Sequence, residues 1–285
     1  MLRRFLAIGV LAGSVAMLVF AGWYLVGGGN DVTDCDVPVP AALEPRVVAT
    51  HPHDPEAYTQ GLLVAGDGAL WESTGLRGQS DLRRVDVDTG EVLESRSLEA
   101  DLFGEGLTED ADGELLQLTW TSGAALRWNR DPLEPAGEFT YDGEGWGITT
   151  LDDGFHAMSD GSSTISYRSP SDFSVVGSTE VRRDGGSASD LNELEWDGER
   201  LWANRYQSDE ILRIDLDCGV VDAVLDASAL TAMASGEASV AGLERDFEGR
   251  DVLNGIAWLG EEDPEHYYVT GKRWPVLYEV TFEQA

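Results

Sequence analysis

Tyr58-Thr59-Gln60-Gly61-Leu62 and Phe103-Gly104-Glu105-Gly106-Leu107 are two copies of one pattern, a small or acidic turn residue followed by an apolar strand. Three further copies follow: Glu144-Gly145-Trp146-Gly147-Ile148, Leu191-Asn192-Glu193-Leu194 and Leu253-Asn254-Gly255-Ile256. The aligned positions Gly61, Gly106, Gly147, Glu193 and Gly255 are spaced by 45, 41, 46 and 62 residues. Each copy runs on into a second short strand: Leu70–Ser73, Leu116–Trp120, Phe155–Ser159, Leu201–Asn204 and Tyr267–Thr270. A third follows at Leu82–Asp86, Ala125–Asn129, Thr164–Arg168, Ile211–Asp215 and Leu277–Thr281. In the first four copies a Gly- or Pro-marked turn leads to a fourth strand, as at Asp88-Thr89-Gly90-Glu91 before Val92.

Short antiparallel strands in fours, recurring at a near-constant period, are the pattern of propeller blades. The fifth copy has three strands, and Arg46–Thr50, ahead of the first copy, is expected to supply its fourth and to remove the open sheet edges. The predicted fold is therefore all-β, a five-bladed β-propeller over residues 46–285. The long fourth interval holds an insert from about Asp226 to Asp251, whose Ala- and Leu-rich start predicts a short helix.

The formal net charge of −34 excludes a nucleic-acid backbone as partner, since phosphate binding needs clustered Lys and Arg. The carboxylates are dispersed between apolar strands, which makes them a solvated surface rather than an interaction tail. Met1-Leu2-Arg3-Arg4 precedes Phe5 to Val26, a stretch without a carboxylate or a basic side chain. Residues 1–26 are expected to be an uncleaved signal anchor with the Arg pair cytoplasmic, a cleaved signal peptide being the alternative. Residues 27–45, rich in Gly, Asp and Pro, then read as a flexible tether to an extracytoplasmic domain. In an exported chain the isolated pair Cys35 and Cys218 is compatible with one disulfide, pinning the tether to the domain. The histidines His51, His53, His156 and His266 are scattered, which argues against a Cys/His zinc site.

Strand direction locates a site before any chemistry is assumed. The starts of the first strands and the ends of the second strands fall on one face, around one mouth of the central channel. The least generic residues gather there: Gln60, Trp71, Glu72, Glu105, Trp120, Trp146, Asp160, Asn192, Glu193, Asn204, Tyr206, Asn254, Lys272 and Trp274. Aromatic walls, a few carboxylates and Lys272, the single lysine of the chain, suit a small organic group. Several of these positions have a structural reading. The strand-start glycines let inner strands approach the axis, Trp71 and Trp202 pack between blades, and Asp160-Gly161-Ser162 is a turn.

The same motifs carry a resemblance. Tyr58–Leu62, Glu72–Ser80, Phe103–Thr108, Glu144–Gly147, Ser159–Ser162, Leu191–Glu195, Leu253–Ile256 and Thr270–Pro275, in this order, resemble the plant-type glutaminyl-peptide cyclotransferases, which also occur in bacteria. That family is a five-bladed propeller unrelated to the zinc-dependent animal type, and the shortage of His agrees with it. The resemblance implies a pocket made by Tyr58, Gln60, Phe103, Glu105, Trp120, Trp146, Asn192, Tyr206 and Lys272. Tyr206 stands where the family's Trp is expected, so the wall there is smaller or carries an added hydroxyl.

The implied substrates are peptides or proteins with N-terminal glutamine, cyclised to pyroglutamate with release of ammonia. No cofactor is required for this chemistry, and the chain is expected to act as a monomer. Glu105 is the expected base and then acid, with its pKa tuned by a dry aromatic setting. Lys272, helped by Asn192, is expected to stabilise the oxyanion or bind the peptide carbonyl. Two alternatives stand beside this. One is a calcium-dependent propeller hydrolase or lactonase, with Glu105, Asn192, Glu193 and Asn254 as an oxygen cage. A calcium near Asn192, Glu193 and Asn254 would also be compatible with a purely structural role. The other alternative is a non-catalytic, surface-displayed binding propeller.

Overall fold

The computed structural model describes Cys35 and residues 38–285, so the expected anchor and most of the expected tether lie outside the described residues. Among the described residues no helix is long and apolar enough to cross a membrane. The fold is all-β. It opens on β1 (Ala41–Pro52), which is followed by three separate four-stranded antiparallel sheets. The first is β2 (Thr59–Val64), β3 (Leu70–Thr74), β4 (Asp81–Val85) and β5 (Val92–Ser97). The second is β6 (Gly104–Glu109), β7 (Leu115–Thr119), β8 (Ala124–Arg130) and β9 (Leu133–Thr140). The third is β10 (Ile148–Thr150), β11 (His156–Met158), β12 (Thr164–Arg168) and β13 (Val175–Glu180). A small hairpin, β14 (Arg182–Arg183) and β15 (Gly186–Ser187), leads to the fourth array, β16 (Leu191–Trp196), β17 (Leu201–Arg205), β18 (Glu210–Asp215) and β19 (Val220–Asp226). After α1 (Ser228–Val240) come β20 (Leu253–Trp258), β21 (Tyr267–Gly271) and β22 (Val276–Gln284), and β1 pairs antiparallel with β22 as the fourth strand of this last array.

Within each sheet the first two strands are buried on both faces, whereas outer strands such as β5 and β13 are largely exposed. The apolar residues of neighbouring sheets merge into seams. Leu63, Trp71 and Leu82 of the first sheet pack with Leu107, Leu115 and Trp128 of the second. Leu116 and Leu118 pack with Ile148 and Met158 of the third, and Ala157 and Ile165 with Leu194, Leu201 and Leu212 of the fourth. Trp202, Ile211 and Leu225 pack with Ile256, Val269 and Tyr278, and the series closes where Ala257 and Leu277 meet Leu62, Leu70 and Val85 of the first sheet. Such burial is worth about 25 cal/mol per Å2 of apolar surface, so each seam binds its two sheets together.

Two boundaries differ from expectation. β1 begins at Ala41, inside the stretch assigned to the tether, and Ala41–Leu43 pair in parallel with Ala223–Leu225 of β19. Pro45 made this stretch look unstructured, yet the β19 pairing ends at Leu43, so the missing N–H of Pro45 interrupts no two-sided ladder. The helix in the insert forms as expected. Leu230, Ala234 and Ala238, one helical face at intervals of four, are its buried residues. Cys35 is joined to Cys218 by a disulfide.

Candidate active site

Four of the five inner strands break register at the same end. The irregularities fall between Thr59 and Gly61 in β2, Gly104 and Leu107 in β6, Leu191 and Leu194 in β16, and Leu253 and Ile256 in β20. The residues released from the ladder are Gln60, Glu105, Asn192 with Glu193, and Asn254, and a bulge of this kind re-aims a side chain. Close packing of the inner strands depends on glycine. A Cβ on Gly106 would lie 2.7 Å from Ile148 N and Trp146 O, and one on Gly147 would strike the Asn192 carbonyl.

The released amides and carboxylate form a wired chain. Asn192 Nδ2 donates to Asn254 Oδ1 (2.8 Å), and Asn254 Nδ2 donates to Thr59 O (3.0 Å) and Gln60 Oε1 (3.4 Å). Gln60 Nε2 then donates to Glu105 Oε1 at 3.1 Å. Glu193 turns the other way, accepting from Leu62 N–H (3.4 Å) and Ile256 N–H (3.0 Å). The oxygens of Asn254 and Glu193 expected to offer a calcium cage are thus engaged with protein donors.

One cavity of about 220 Å3 opens above this chain, lined by Tyr58, Gln60, Phe103, Glu105, Trp120, Trp146, Asn192, Tyr206 and Lys272. Glu105 and Lys272 are buried, at 5% and 3% exposure. Burial pushes the Glu105 carboxyl well above the ordinary range, with Lys272 opposing and Glu144 adding to the rise. Burial likewise pulls the Lys272 ammonium down to about 8, against the pull of Glu105. Its Nζ lies 5.1 Å from the Tyr58 ring centre and 5.0 Å from that of Tyr206, a cation held between two aromatic faces. Burial, foremost, raises the Tyr58 phenol to about 12, so it remains a donor at neutral pH.

The walls are fixed from behind. Phe103 packs edge-on against Tyr58 and Trp120, and Trp146 edge-on against Tyr206 at 5.5 Å. Arg77 covers the outer face of Trp120, its guanidinium 5.7 Å from the ring centre. Glu144 holds both tryptophans, accepting from Trp120 Nε1 (2.7 Å) and Trp146 Nε1 (3.0 Å) on the same oxygen. Glu144 was absent from the expected set, although it stands two residues before Trp146 in a quoted motif. Gly161 was missed as a wall support: it has φ +82°, and a Cβ there would lie 2.7 Å from the Trp146 ring.

Other residues expected around the mouth have different work. Trp71 packs in the seam between the first two sheets, and Trp274 is buried with Nε1 donating to Asp251 O. Glu72 is buried against His53 Nε2 (3.1 Å) and the Thr59 hydroxyl (2.7 Å). Asn204 Oδ1 accepts from Gly255 N–H, and Asp160 accepts from Ser162 N–H and its hydroxyl within its own turn.

A family model described as glutamine cyclotransferase matches residues 24–282. The chain belongs to the glutamine cyclotransferase family. Among curated proteins, the glutaminyl-peptide cyclotransferase of Arabidopsis thaliana is 39% identical over 244 residues, spanning 85% of this chain and 72% of that protein. The crystal structure of Myxococcus xanthus glutaminyl cyclase superposes with a TM-score of 0.76 at 34% identity, covering 86% of this chain and 99% of that one.

Proposed function

We propose that this chain is a glutaminyl-peptide cyclotransferase acting on peptides or proteins with N-terminal glutamine. The observation that carries the reading is a buried carboxyl with a raised pKa and a buried ammonium with a lowered one, facing a single small aromatic cavity. Both groups are thereby brought toward neutrality, where proton transfer is most effective. In the reaction the neutral α-amine of the glutamine attacks its own γ-carboxamide carbon, forming the ring C–N bond. Glu105 takes the amine proton and returns it to the amide nitrogen as the old C–N bond breaks, so ammonia leaves and the carboxylate is regenerated. Lys272 donates to the oxyanion as it develops. Gln60, fixed through Asn254 to Asn192, orients the Glu105 carboxylate. The indoles of Trp120 and Trp146, tied through Glu144, hold the substrate folded in attack geometry.

The test is ammonia release from Gln-initiated peptides, followed by mass spectrometry. Glu105→Gln should lower turnover by about 10^2–10^4-fold with the fold retained, and addition of a chelator should leave wild-type turnover unchanged. Absence of release over a panel of such peptides sinks the assignment, and near-normal turnover by Glu105→Gln removes that residue from the mechanism. The same proposal takes the five arrays, each sharing an apolar seam with the next, as the blades of a five-bladed propeller working as a monomer. It also places the domain outside the membrane on a span at Phe5 to Val26, which carries no carboxylate and no basic side chain. After cell breakage the full chain should sediment with membranes and resist alkaline extraction; release into the soluble fraction would remove the anchor.

A further inference from the structure

His266 meets two carboxylates on the array that β1 completes, and none of the three residues lines the cavity. Asp263-Pro264-Glu265-His266 is a turn in which His266 N–H donates to Asp263 O at 3.2 Å, with Pro264 at the position that favours its fixed φ. The turn sets the His266 ring against a strand: Nδ1 lies 2.8 Å from Glu279 Oε1 on β22 and 3.3 Å from Asp263 Oδ2. One donor atom each from Asp263, His266 and Glu279 lie within 4.8 Å of one another. On β1, His51 pairs with Leu277 and so shares a sheet face with Glu279, two residues on. His51 Nε2 stands 3.6 Å from the other Glu279 oxygen, Oε2, and lies outside that group of three.

A neutral imidazole has one N–H to give, whereas two carboxylates converge on His266 Nδ1. A tetrahedral ion with bonds of about 2.0–2.2 Å holds its ligand atoms about 3.3–3.6 Å apart; the His266 Nδ1–Asp263 Oδ2 separation of 3.3 Å matches, and the 2.8 Å to Glu279 Oε1 would open slightly on binding. Imidazole donors select a zinc-class transition metal over calcium or magnesium. We propose that Asp263, His266 and Glu279 bind a divalent zinc-class ion, with water in the fourth position, clasping β22 to the turn before β21. The ion is structural: it ties the turn before β21 to the last strand and stabilises the closed array by mass action.

The full chain, stripped of metal and titrated with zinc sulfate in a calorimeter, should take up one saturable equivalent, and its unfolding temperature should rise with zinc concentration. Glu279→Gln and His266→Ala should each weaken binding by about 100-fold or more. Asp263→Asn changes only a half-exposed carboxylate, so it tests the site without endangering the fold; circular dichroism checks the folding of every variant. Binding weakened in folded Asp263→Asn and in either ligand variant carries the site. No saturable binding by the wild type, or undiminished binding in Asp263→Asn, His266→Ala and Glu279→Gln, overturns it. Ammonia release is not among the readouts, so the outcome stands apart from the assignment of the cavity.

Discussion

Lys272 is the residue whose surroundings most constrain the chemistry. Burial, opposed by Glu105, places its ammonium at about 8, and the two tyrosine rings give the cation a preferred position. The ammonium is present below about pH 8 and is lost as pH rises through that value. The alkaline limb of kcat/KM should therefore fall near pH 8, while the acid limb belongs to Glu105 and the substrate amine. In Lys272→Arg the charge persists to far higher pH, so the alkaline limb should move up or disappear. Turnover at neutral pH should drop about tenfold or more, because a planar guanidinium does not reproduce the point charge between the rings. A pH–rate profile with an unmoved alkaline limb would assign that limb elsewhere. Single residues of this kind were legible in the sequence: a lone lysine, a carboxylate between glycines and a tryptophan between glycines stand out by type alone. Glu144 did not, because in a chain this rich in carboxylates nothing marks the one that accepts from two indoles.

At the scale of elements, the decisive feature is the shared irregularity of the inner strands. A regular strand alternates its side chains between faces, and such alternation would have carried Gln60, Glu105, Asn192 and Asn254 into the seams between sheets. The bulges release them toward the axis, and the glycines beside them let the strands come close enough for one side chain to reach the next. The turn at Gly161 works the same way from outside, offering Trp146 a surface without a Cβ. Gly161→Ala should push the Trp146 ring outward and lower kcat/KM on Gln peptides by as much as about 10^2-fold. It should also cost about 1–2 kcal/mol through the positive φ. Steady-state kinetics alongside a thermal melt separate the two effects, and unchanged kcat/KM would show that the Trp146 wall does not position the substrate. The repeats announced these elements well, whereas the bulges are set by cross-strand pairing, which a single strand's sequence does not encode.

Across the whole molecule, closure depends on β1, paired to β22 on one side and to β19 on the other, with the Cys35–Cys218 disulfide just before it. The bridge spans a sequence separation of 183, so it restricts the unfolded chain strongly. Cys218→Ser should lower stability to denaturant by about 2–5 kcal/mol while leaving turnover intact, since neither sulfur lines the cavity. A variant as stable as the wild type would show that β1 docks without the covalent tie. The sequence by itself determined the all-β class, the period and the helix in the insert, because these follow from local alternation, turn chemistry and a repeat that brings equivalent positions to equivalent places; the residues that line the cavity were legible through the family resemblance of its motifs. Only the tertiary structure decided how far β1 extends, which amides wire Glu105, what fixes the tryptophans and where His266 meets Glu279. Each of those is a meeting of side chains far apart along the chain, and distance along a chain carries no record of proximity in space.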